Sequence, residues 1–262
     1  MILDEIVKQR RVQLKREIEK CSLEDIKKRA EKQLSERTPL SLASALKGDT
    51  LSCICEVKKA SPSKGLIRED LHPTELAVEY EKAGADAISC LTEEHYFQGS
   101  SQYLADIRQA VKIPVLRKDF IFDEYQIFEA AAIGADAVLL IASVLDIPDF
   151  DRLYKLAAQL GLSVLGEMHT VEEMQRYAYD REGMAIGVNN RDLKTFNVDL
   201  NTVAKLRKYA PDDAVFVSES GIKNNDDMKT VRSLGADAVL IGETLMRSSN
   251  IGETLKELRK DV

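Results

Sequence analysis

The chain has 262 residues, of which 44% are hydrophobic and 31% charged, with 13 glycines and 6 prolines. These proportions are typical of a globular protein, and they exclude collagen-like, low-complexity and wholly disordered classes. The formal net charge of −7 argues against a general nucleic-acid binder, because such proteins need a basic surface to neutralise phosphates.

Apolar runs, cysteines and histidines indicate the cellular compartment of the protein and the kinds of partner it lacks. The longest apolar run, near residues 135–143, is about ten residues long and too short to span a membrane. Charged residues interrupt the N-terminal segment where a signal peptide would need an apolar core. The four cysteines form no C-x-x-C pair, and the three histidines lack metal-ligand spacing. We therefore expect a cytoplasmic chain with buried reduced thiols and without a metal, a membrane partner or a nucleic-acid partner.

Residues 1–48 carry helical patterns that differ from the rhythm of the rest of the chain. A first helix would present apolar residues on one face: Leu3, Val7, Leu14 and Ile18. Ser22, followed three residues later by Asp25, resembles a capping box and predicts a second helix to about Gln33. A short third helix is predicted over Ser41–Leu46. This extension either plugs one end of the following domain or covers its ligand, and the sequence favours neither.

A short segment recurs three times and suggests the fold. The copies start at residues 83, 133 and 234, and each contains Gly-Ala-Asp-Ala followed by apolar residues. Each copy is typical of a helix end, a glycine that stops the helix, and a buried strand. The first two copies lie 50 residues apart, which corresponds to two helix–strand units of about 25 residues each.

Eight apolar strands are predicted at this spacing: Leu51–Val57, Asp86–Leu91, Pro114–Arg117, Ala137–Ile141, Ser163–Glu167, Ala185–Asn189, Ala214–Ser218 and Ala238–Gly242. Helical patterns lie between them, such as Thr74–Ala83, Tyr103–Val111, Asp123–Ile133, Ile147–Leu160, Val171–Tyr179 and Asp226–Leu234. This alternation favours a parallel sheet with right-handed crossovers. An open doubly wound sheet would carry a glycine-rich fingerprint after the first strand, and Cys55–Lys59 is not one. We predict an α/β protein, a (β/α)8 TIM barrel at residues 49–262 with an N-terminal helical extension at residues 1–48 packed on it.

Polar and charged residues end several of these strands. Alternation in the first strand places Ile54, Glu56 and Lys58 on one side, and in the third strand Lys118 follows the same rule. The later strand ends carry Glu167, Asn189, Arg191, Glu219 and Ser220. Since active sites of parallel barrels lie at the C-terminal ends of the strands, we expect these side chains to meet at one mouth.

Two loops are expected to bind a phosphate group. Ser218–Ile222 follows the seventh strand and Gly242–Thr244 the eighth, and their small residues expose backbone N–H groups. Barrels often bind phosphate in these loops, and a helix that starts after Gly242 would attract the anion through its dipole. The polar loop Ser61–Gly65, after the first strand, is expected to act as a mobile lid over the site, with an ordinary loop as the alternative.

Several segments form a pattern larger than any one strand. The most specific is Cys55–Gly65, with the sequence CEVKKASPSKG. The others are Leu91–Glu93, Phe97–Ser100, Leu116–Phe120, Gly187–Leu193, Ser218–Ile222 and Gly242–Met246. Over nearly the whole chain they resemble the indole-3-glycerol phosphate synthase family. The departures are mild: Gly166–His169 reads Gly-Glu-Met-His where Val-Glu-Val-His is more usual, and Tyr96 stands where Phe is common.

The resemblance implies a cofactor-free lyase of tryptophan biosynthesis that acts on 1-(2-carboxyphenylamino)-1-deoxyribulose 5-phosphate. The ring closes onto the ketose carbonyl, carbon dioxide and then water leave, and indole-3-glycerol phosphate forms. By resemblance, Lys118 is the general acid of ring closure, and Lys58 pairs with the substrate carboxylate and can donate in the dehydration. Glu167 is the general base, with Glu56 as an alternative that also orients the two lysines. Asn189 holds a substrate hydroxyl.

The resemblance also implies binding residues. Arg191 would order the acidic groups, while Glu219 and Ser220 would lie near the anilino-sugar and the phosphate. The phosphate would be bordered by Ser61, Gly221, Gly242 and Glu243. We expect the partner to be this small anionic phosphosugar, and the protein to be a monomer.

Two rival functions can be weighed on the same residues. A phosphoribosylanthranilate isomerase on the same barrel would use a Cys/Asp acid–base pair, whereas the first strand here offers Glu56 and Lys58. A non-catalytic barrel that binds phosphorylated metabolites would keep the phosphate loops and lose the acids and bases. The sequence does not divide the proton transfers among Glu56, Glu167 and Lys58, nor does it tell whether residues 1–48 move.

Overall fold

The computed structural model describes residues 2–179, 181–192 and 195–262. Leu193, the last residue of the family segment Gly187–Leu193, lies outside the described residues. Within those ranges, every helix falls short of the length and apolar character that a membrane crossing requires.

Eight parallel strands close into a barrel, which confirms the predicted fold class. They are β1 (Ser52–Val57), β4 (Ala87–Leu91), β5 (Val115–Lys118), β6 (Ala137–Ile141), β7 (Ser163–Met168), β8 (Ala185–Asn189), β9 (Phe216–Glu219) and β10 (Ala238–Ile241). β1 pairs with β10, with Ser52 opposite Ala238, so the sheet has no free edge. All eight predicted strands are present, and their ends differ from the prediction by at most two residues.

Helices precede the barrel and connect its strands. The extension holds α1 (Ile2–Lys20), α2 (Leu23–Glu36) and α3 (Leu42–Leu46). The helices of the barrel are α4 (Pro73–Lys82), α5 (Ser101–Ala110), α6 (Glu124–Ala132), α7 (Ile147–Gln159), α8 (Val171–Tyr177), α9 (Thr202–Arg207), α10 (Asn225–Ser233), α11 (Glu243–Met246) and α12 (Ile251–Leu258). The prediction did not name α9 or α12, and the helix expected after Gly242 is the single turn α11. The loop after β1 contains a small hairpin of β2 (Ala60–Ser61) and β3 (Gly65–Leu66).

The repeated Gly-Ala-Asp-Ala segment has a structural role at the N-terminal end of the barrel. Its aspartates accept backbone N–H groups at the start of a neighbouring strand: Asp86 from Cys53 (2.7 Å), Asp136 from Val115 (2.8 Å) and Asp237 from Phe216 (2.8 Å). Its glycines, Gly84, Gly134 and Gly235, all have positive φ, which ends the preceding helix in the left-handed conformation. Each copy therefore ties a helix end to the neighbouring strand.

Strand alternation divides the core into two regions. Outward-facing residues pack against the helices, and this region includes Cys53, Cys55 and Cys90, whose thiols are free and buried. Cys21 is only half-buried, so the expectation of burial is wrong for that thiol. Inward-facing residues form a separate cluster inside the barrel, which includes Ile54, Ala87, Leu116, Ala137, Leu165, Val217 and Leu240.

The N-terminal helices reach both ends of the barrel. Leu42 and Leu46 of α3 belong to the cluster inside the barrel and fill its N-terminal opening, where Leu42 N–H donates to Ser163 Oγ at 2.9 Å. At the opposite end, Leu3 and Ile6 of α1 border the cavity described below. α3 therefore plugs one end of the barrel and α1 borders the cavity at the other end, while the covering of a ligand by the extension stays a prediction.

The predicted buried face of α1 is wrong in part. The buried residues of this helix are Ile6, Arg10 and Leu14, whereas Ile18 is 39% exposed. Apolar spacing could not reveal this face, because its middle position is a guanidinium. Arg10 is fully buried and lies 2.9 Å from a carboxylate oxygen of Asp119, and such pairing is what permits a charge in the core.

Candidate active site

A cavity of about 670 Å³ opens at the C-terminal ends of the barrel strands. The twelve residues singled out in the sequence all border it: Glu56, Lys58, Ser61, Lys118, Glu167, Asn189, Arg191, Glu219, Ser220, Gly221, Gly242 and Glu243. The loops after β9 and β10 thus lie at the same mouth as the charged strand ends.

Four ionisable side chains form a ring inside this mouth, one from every second strand. They are Glu56 of β1, Lys118 of β5, Glu167 of β7 and Glu219 of β9. Each lies two residues after an inward-facing apolar residue, respectively Ile54, Leu116, Leu165 and Val217. Because side chains alternate along a strand, the ring forms the layer above the apolar interior of the barrel.

The ammonium group of Lys118 lies between two carboxylates of the ring. Its Nζ donates to Glu219 Oε2 at 2.7 Å and is 3.8 Å from Glu167 Oε2. Burial disfavours the ammonium, but Glu219 and Glu167 outweigh burial and raise the pKa of Lys118 above its usual range. Lys118 is therefore a protonated donor, although the pKa shift is opposite to the one that would make a lysine a strong acid near neutral pH.

Glu219 titrates near neutral pH. It is almost fully buried, and its Oε1 has no hydrogen-bond partner among the described residues. Burial raises the pKa of Glu219 to about 7, against the attraction of Lys118 and with the repulsion of Glu167. A carboxyl group with a pKa near the working pH can both give and take a proton.

Glu167 is held as a carboxylate by its neighbours. Asn189 Nδ2 donates to Glu167 Oε1 at 3.1 Å, and His169 Nε2 lies 3.0 Å from the same oxygen. Burial disfavours the charge, but His169, Lys118 and Asn189 lower the pKa of Glu167 to about 2. Glu167 and Glu219 therefore differ in protonation near neutral pH, and such a difference separates acid from base roles.

His169 supports the site through Glu167, although the sequence analysis gave it no role. Two positions after Glu167, it continues the alternation of β7, and that spacing was the signal for it. Its Nδ1 lies 3.6 Å from Glu173 Oε2. Burial disfavours its protonation, but Glu167 and Glu173 raise the pKa of His169 to about 10. His169 therefore places a positive charge beside Glu167.

Glu56 and Lys58 form an ion pair at the end of β1. The side chain of Lys58 is 16% exposed and that of Glu56 is 3% exposed, so the ammonium is the more accessible partner. A Cβ at Gly242 would come within 2.2 Å of Glu56 Oε2 and 3.0 Å of Lys58 Nζ. A side chain at position 242 would therefore displace the Glu56 carboxylate from its place in the ion pair.

Two loops and the hairpin form the rim of the cavity. Ser220 and Gly221 have positive φ values of 66° and 95°, so the chain turns sharply after β9. Asn190 Nδ2 supports this turn by donating to the carbonyl oxygen of Ser220 at 3.0 Å. Glu243, at the start of α11, lies 3.4 Å from Nζ of Lys64 in the hairpin. The segment predicted as a lid therefore contacts the loop after β10.

Arg191 borders the cavity at the end of β8. Its backbone N–H donates to Asn189 Oδ1 at 3.0 Å, and its guanidinium donates to the carbonyl oxygen of Phe196 at 3.5 Å. Its expected role in ordering the acidic groups stays a prediction.

An apolar wall borders the same cavity, and the sequence analysis assigned it no role. Phe97 and Phe120 have ring centroids 6.0 Å apart, and both line the cavity with Leu139. Glu93 fixes the loop that carries Phe97, because its buried carboxylate accepts the N–H groups of His95, Tyr96 and Phe97 at 2.7–2.9 Å. The signal for this wall was two aromatic residues within the family segments. A planar aromatic group would fit beside it.

Solved structures with low identity share the fold. Thiamine phosphate pyrophosphorylase from Pyrococcus furiosus matches with a TM-score of 0.60 at 18% identity, covering 80% of this chain and 94% of that chain. A 3-hexulose-6-phosphate synthase matches with a TM-score of 0.63 at 17% identity, covering 80% and 98%. At such identity the similarity shows the barrel alone.

Sequence relatives are far more similar. The chain is 48% identical over 259 residues to the indole-3-glycerol phosphate synthase of Ruminiclostridium cellulolyticum, covering 99% of both. It is 47% identical over 260 residues to that of Acetivibrio thermocellus, also covering 99% of both. The family model for indole-3-glycerol phosphate synthase matches residues 3–258. The chain therefore belongs to the indole-3-glycerol phosphate synthase family.

Proposed function

We propose that the protein converts 1-(2-carboxyphenylamino)-1-deoxyribulose 5-phosphate into indole-3-glycerol phosphate, carbon dioxide and water, as a carboxy-lyase of tryptophan biosynthesis. Membership of the family supports this activity. The observation that carries it is the convergence, around one cavity, of the charged ring with the loops after β9 and β10. The barrel alone would not suffice, because the same fold supports many chemistries.

The cavity offers a separate place for each part of this substrate. The phosphate would lie at the rim, bordered by Ser61, Ser220, Gly221, Gly242 and Glu243. Lys58 would pair with the benzoate, since it is the more exposed member of its ion pair. The aromatic ring would pack against Phe97 and Phe120.

Ring closure requires an acid. A bond forms between the ring carbon that bears the carboxylate and the ketose carbonyl carbon, and the carbonyl oxygen takes a proton. Lys118 is our candidate donor, because two carboxylates keep it protonated inside the cavity. The bond to the carboxylate carbon then breaks, its electron pair restores the aromatic ring, and carbon dioxide leaves. Glu219, at 2.7 Å, can return a proton to Lys118.

Dehydration requires an acid and a base. The new hydroxyl leaves as water with a proton, for which Lys58 is our candidate donor, and a base removes a proton from the adjacent ring carbon. Glu167 is the candidate base by resemblance, with Glu56 as the alternative, and Asn189 would hold a substrate hydroxyl. Glu219 is a further candidate base, because its pKa of about 7 makes its carboxylate a stronger base than that of Glu167.

Other features of the proposal concern the whole protein. We propose a cytoplasmic monomer that needs no cofactor and has no nucleic-acid or membrane partner. The net charge of −7 supports the absence of nucleic acid. We also propose the division into an extension at residues 1–48 and a barrel at residues 49–262. The contacts of Arg10 and Leu46 with the barrel support the packing of the extension on it.

A turnover assay tests the function. The purified protein, at catalytic concentration, is incubated with the proposed substrate while ultraviolet absorbance of the indole product is followed. Phosphoribosylanthranilate is offered in parallel. Many turnovers of the first compound and none of the second support the proposal. Turnover of the second compound instead would identify an isomerase, and binding of either without turnover would identify a non-catalytic barrel.

A further inference from the structure

Arg10 of α1 is a buried guanidinium that belongs to the extension and binds the barrel. Its Nε and Nη2 donate to the two oxygens of Asp119, at 2.9 and 3.1 Å, in a fork-to-fork pair. Its Nη1 donates to Glu17 Oε2 at 2.9 Å, and its Nη2 lies 4.0 Å from Glu129 Oε2. The side chain has no solvent exposure, so these carboxylates hold it in a single place.

Asp119 lies between two residues of the active-site cavity. It directly follows Lys118, and its Oδ1 accepts the backbone N–H of Phe120 at 2.7 Å. Its Oδ2 accepts from Thr92 Oγ1 at 2.7 Å and from Arg117 Nη2 at 3.0 Å. A contact that fixes the Asp119 carboxylate therefore also fixes the end of β5. This segment carries the ammonium of Lys118 and the aromatic ring of Phe120.

We propose that Arg10 is a positioning residue for the reaction, which acts through Asp119 to hold Lys118 and Phe120 in their catalytic placement. This inference rests on the proposed function of the cavity. Arg117 cannot take over the contacts of Arg10, because both N–H groups of its Nη2 are already used, by Asp119 and by Glu129 at 2.6 Å, and its Nε and Nη1 donate to Thr92 and Gln126. Without Arg10, a fully buried carboxylate would lose two of its donors, and the segment after β5 would relax.

A double-mutant cycle distinguishes positioning from a general contribution to stability. Arg10→Lys keeps the buried charge and loses the fork, and Arg10→Met removes both. For Arg10→Lys we expect kcat per folded molecule to fall roughly tenfold, and for Arg10→Met roughly a hundredfold, because displacements near 1 Å have such effects. In a Lys118→Ala background, either substitution should change the residual kcat by less than about twofold, and the remaining effect through Phe120, which packs against the substrate ring, should appear in KM. The exposed Arg16→Met on the same helix is the matched control and should retain kcat and KM.

The results with the Arg10 variants test the positioning role of Arg10, and turnover by the wild type tests the proposed function. If Arg10→Lys folds and keeps the wild-type kcat and KM, the inference is wrong, and the contact only stabilises the fold. Equal losses with and without Lys118 also overturn it, because Arg10 would then act independently of that side chain. Should Arg10→Met fail to fold, the cycle with Arg10→Lys gives the answer. A wild-type protein without turnover would instead refute the proposed function itself.

Discussion

Glu167 and Glu219 face the same ammonium group, yet the pKa of one is lowered to about 2 and that of the other raised to about 7. Glu167 accepts a hydrogen bond from Asn189 and has the charged groups of His169 and Lys118 within 3.0 and 3.8 Å, whereas one oxygen of Glu219 has no hydrogen-bond partner among the described residues. Desolvation is therefore the larger influence on the pKa of Glu219, whereas the nearby positive charges are the larger influence on the pKa of Glu167.

We expect this difference to appear in the pH dependence of kcat. If Glu219 acts as the base, kcat rises with pH through an apparent pKa near 7, because only the carboxylate accepts a proton. Glu219→Gln should remove this rise and lower kcat by about 10²–10⁴. Rate profiles of the wild type, Glu219→Gln and Glu167→Gln are compared from pH 5 to 9. A rise that persists in Glu219→Gln and disappears in Glu167→Gln would assign the base to Glu167.

Lys118→Ala should lower kcat by about 10²–10⁴, which is the usual contribution of a positioned general acid. The fold should be little affected, since the side chain ends in the cavity and not in the apolar core. Steady-state kinetics and thermal unfolding measure the two effects, with the exposed Lys155→Ala as a control. Near wild-type kcat in the purified Lys118→Ala variant would exclude Lys118 as the acid.

His169 should make the stability of the protein depend on alkaline pH. Its pKa is raised from 6.5 to about 10, so the folded state binds a proton that the unfolded state releases between these values. The contribution of His169 is therefore complete below pH 6.5 and is lost as the pH rises towards 10, at up to about 1.4 kcal/mol per pH unit. Denaturant titrations at pH 6, 8 and 10 should show a smaller decline for His169→Gln than for the wild type. The exposed His72→Gln should decline as the wild type does, and an equal decline in His169→Gln would contradict the protonated pair.

The buried carboxylate of Glu93 holds the loop between β4 and α5, because it accepts three backbone N–H groups of that loop. Glu93→Gln keeps the size of the side chain but turns an amide towards backbone donors. We expect the unfolding free energy to fall by about 1–3 kcal/mol. KM should rise more than kcat falls, since Phe97 loses its support and Lys118 does not. Kinetics and denaturant titration measure both, and the neighbouring exposed Glu94→Gln should change neither. A larger effect on kcat than on KM would place Glu93 in the chemistry rather than in binding.

Elements whose signals are local were predictable from the sequence. Ser22 caps α2 through Asp25 N–H at 3.2 Å, as the spacing of these two residues indicated. The barrel strands were predictable because they are short apolar runs between glycine-stopped helices. The buried face of α1 was not, because Arg10 meets a partner 109 residues away. The pKa values of the two glutamates likewise depend on strands that come together only in the closed barrel.

The protein as a whole is acidic, yet its cavity can accept an anion. Its net charge is −7, yet among the described residues six cationic side chains line the cavity: Lys58, Lys64, Lys118, Arg191, Lys223 and Arg247. The acidic side chains that line it in the same part of the chain are five: Glu56, Asp119, Glu167, Glu219 and Glu243. Since the pKa of Glu219 is about 7, part of that negative charge is neutralised at neutral pH. The net charge of the protein therefore does not predict the charge of its ligand, because binding depends on the balance of charges that line the cavity.

The extension contacts the barrel at both ends, and a matched pair of cavity-creating substitutions should separate the two contacts. Leu46 is buried in the N-terminal opening, and Ile6 is buried beside the active-site cavity. Leu46→Ala and Ile6→Ala should each lower the unfolding free energy by about 2–5 kcal/mol, because both remove buried methyl groups. Only Ile6→Ala should also raise KM, since Leu46 lies at the end of the barrel remote from the charged ring. Denaturant titration and steady-state kinetics on the full chain measure these effects. Equal KM values in the two variants would show that α1 covers the cavity without touching the substrate.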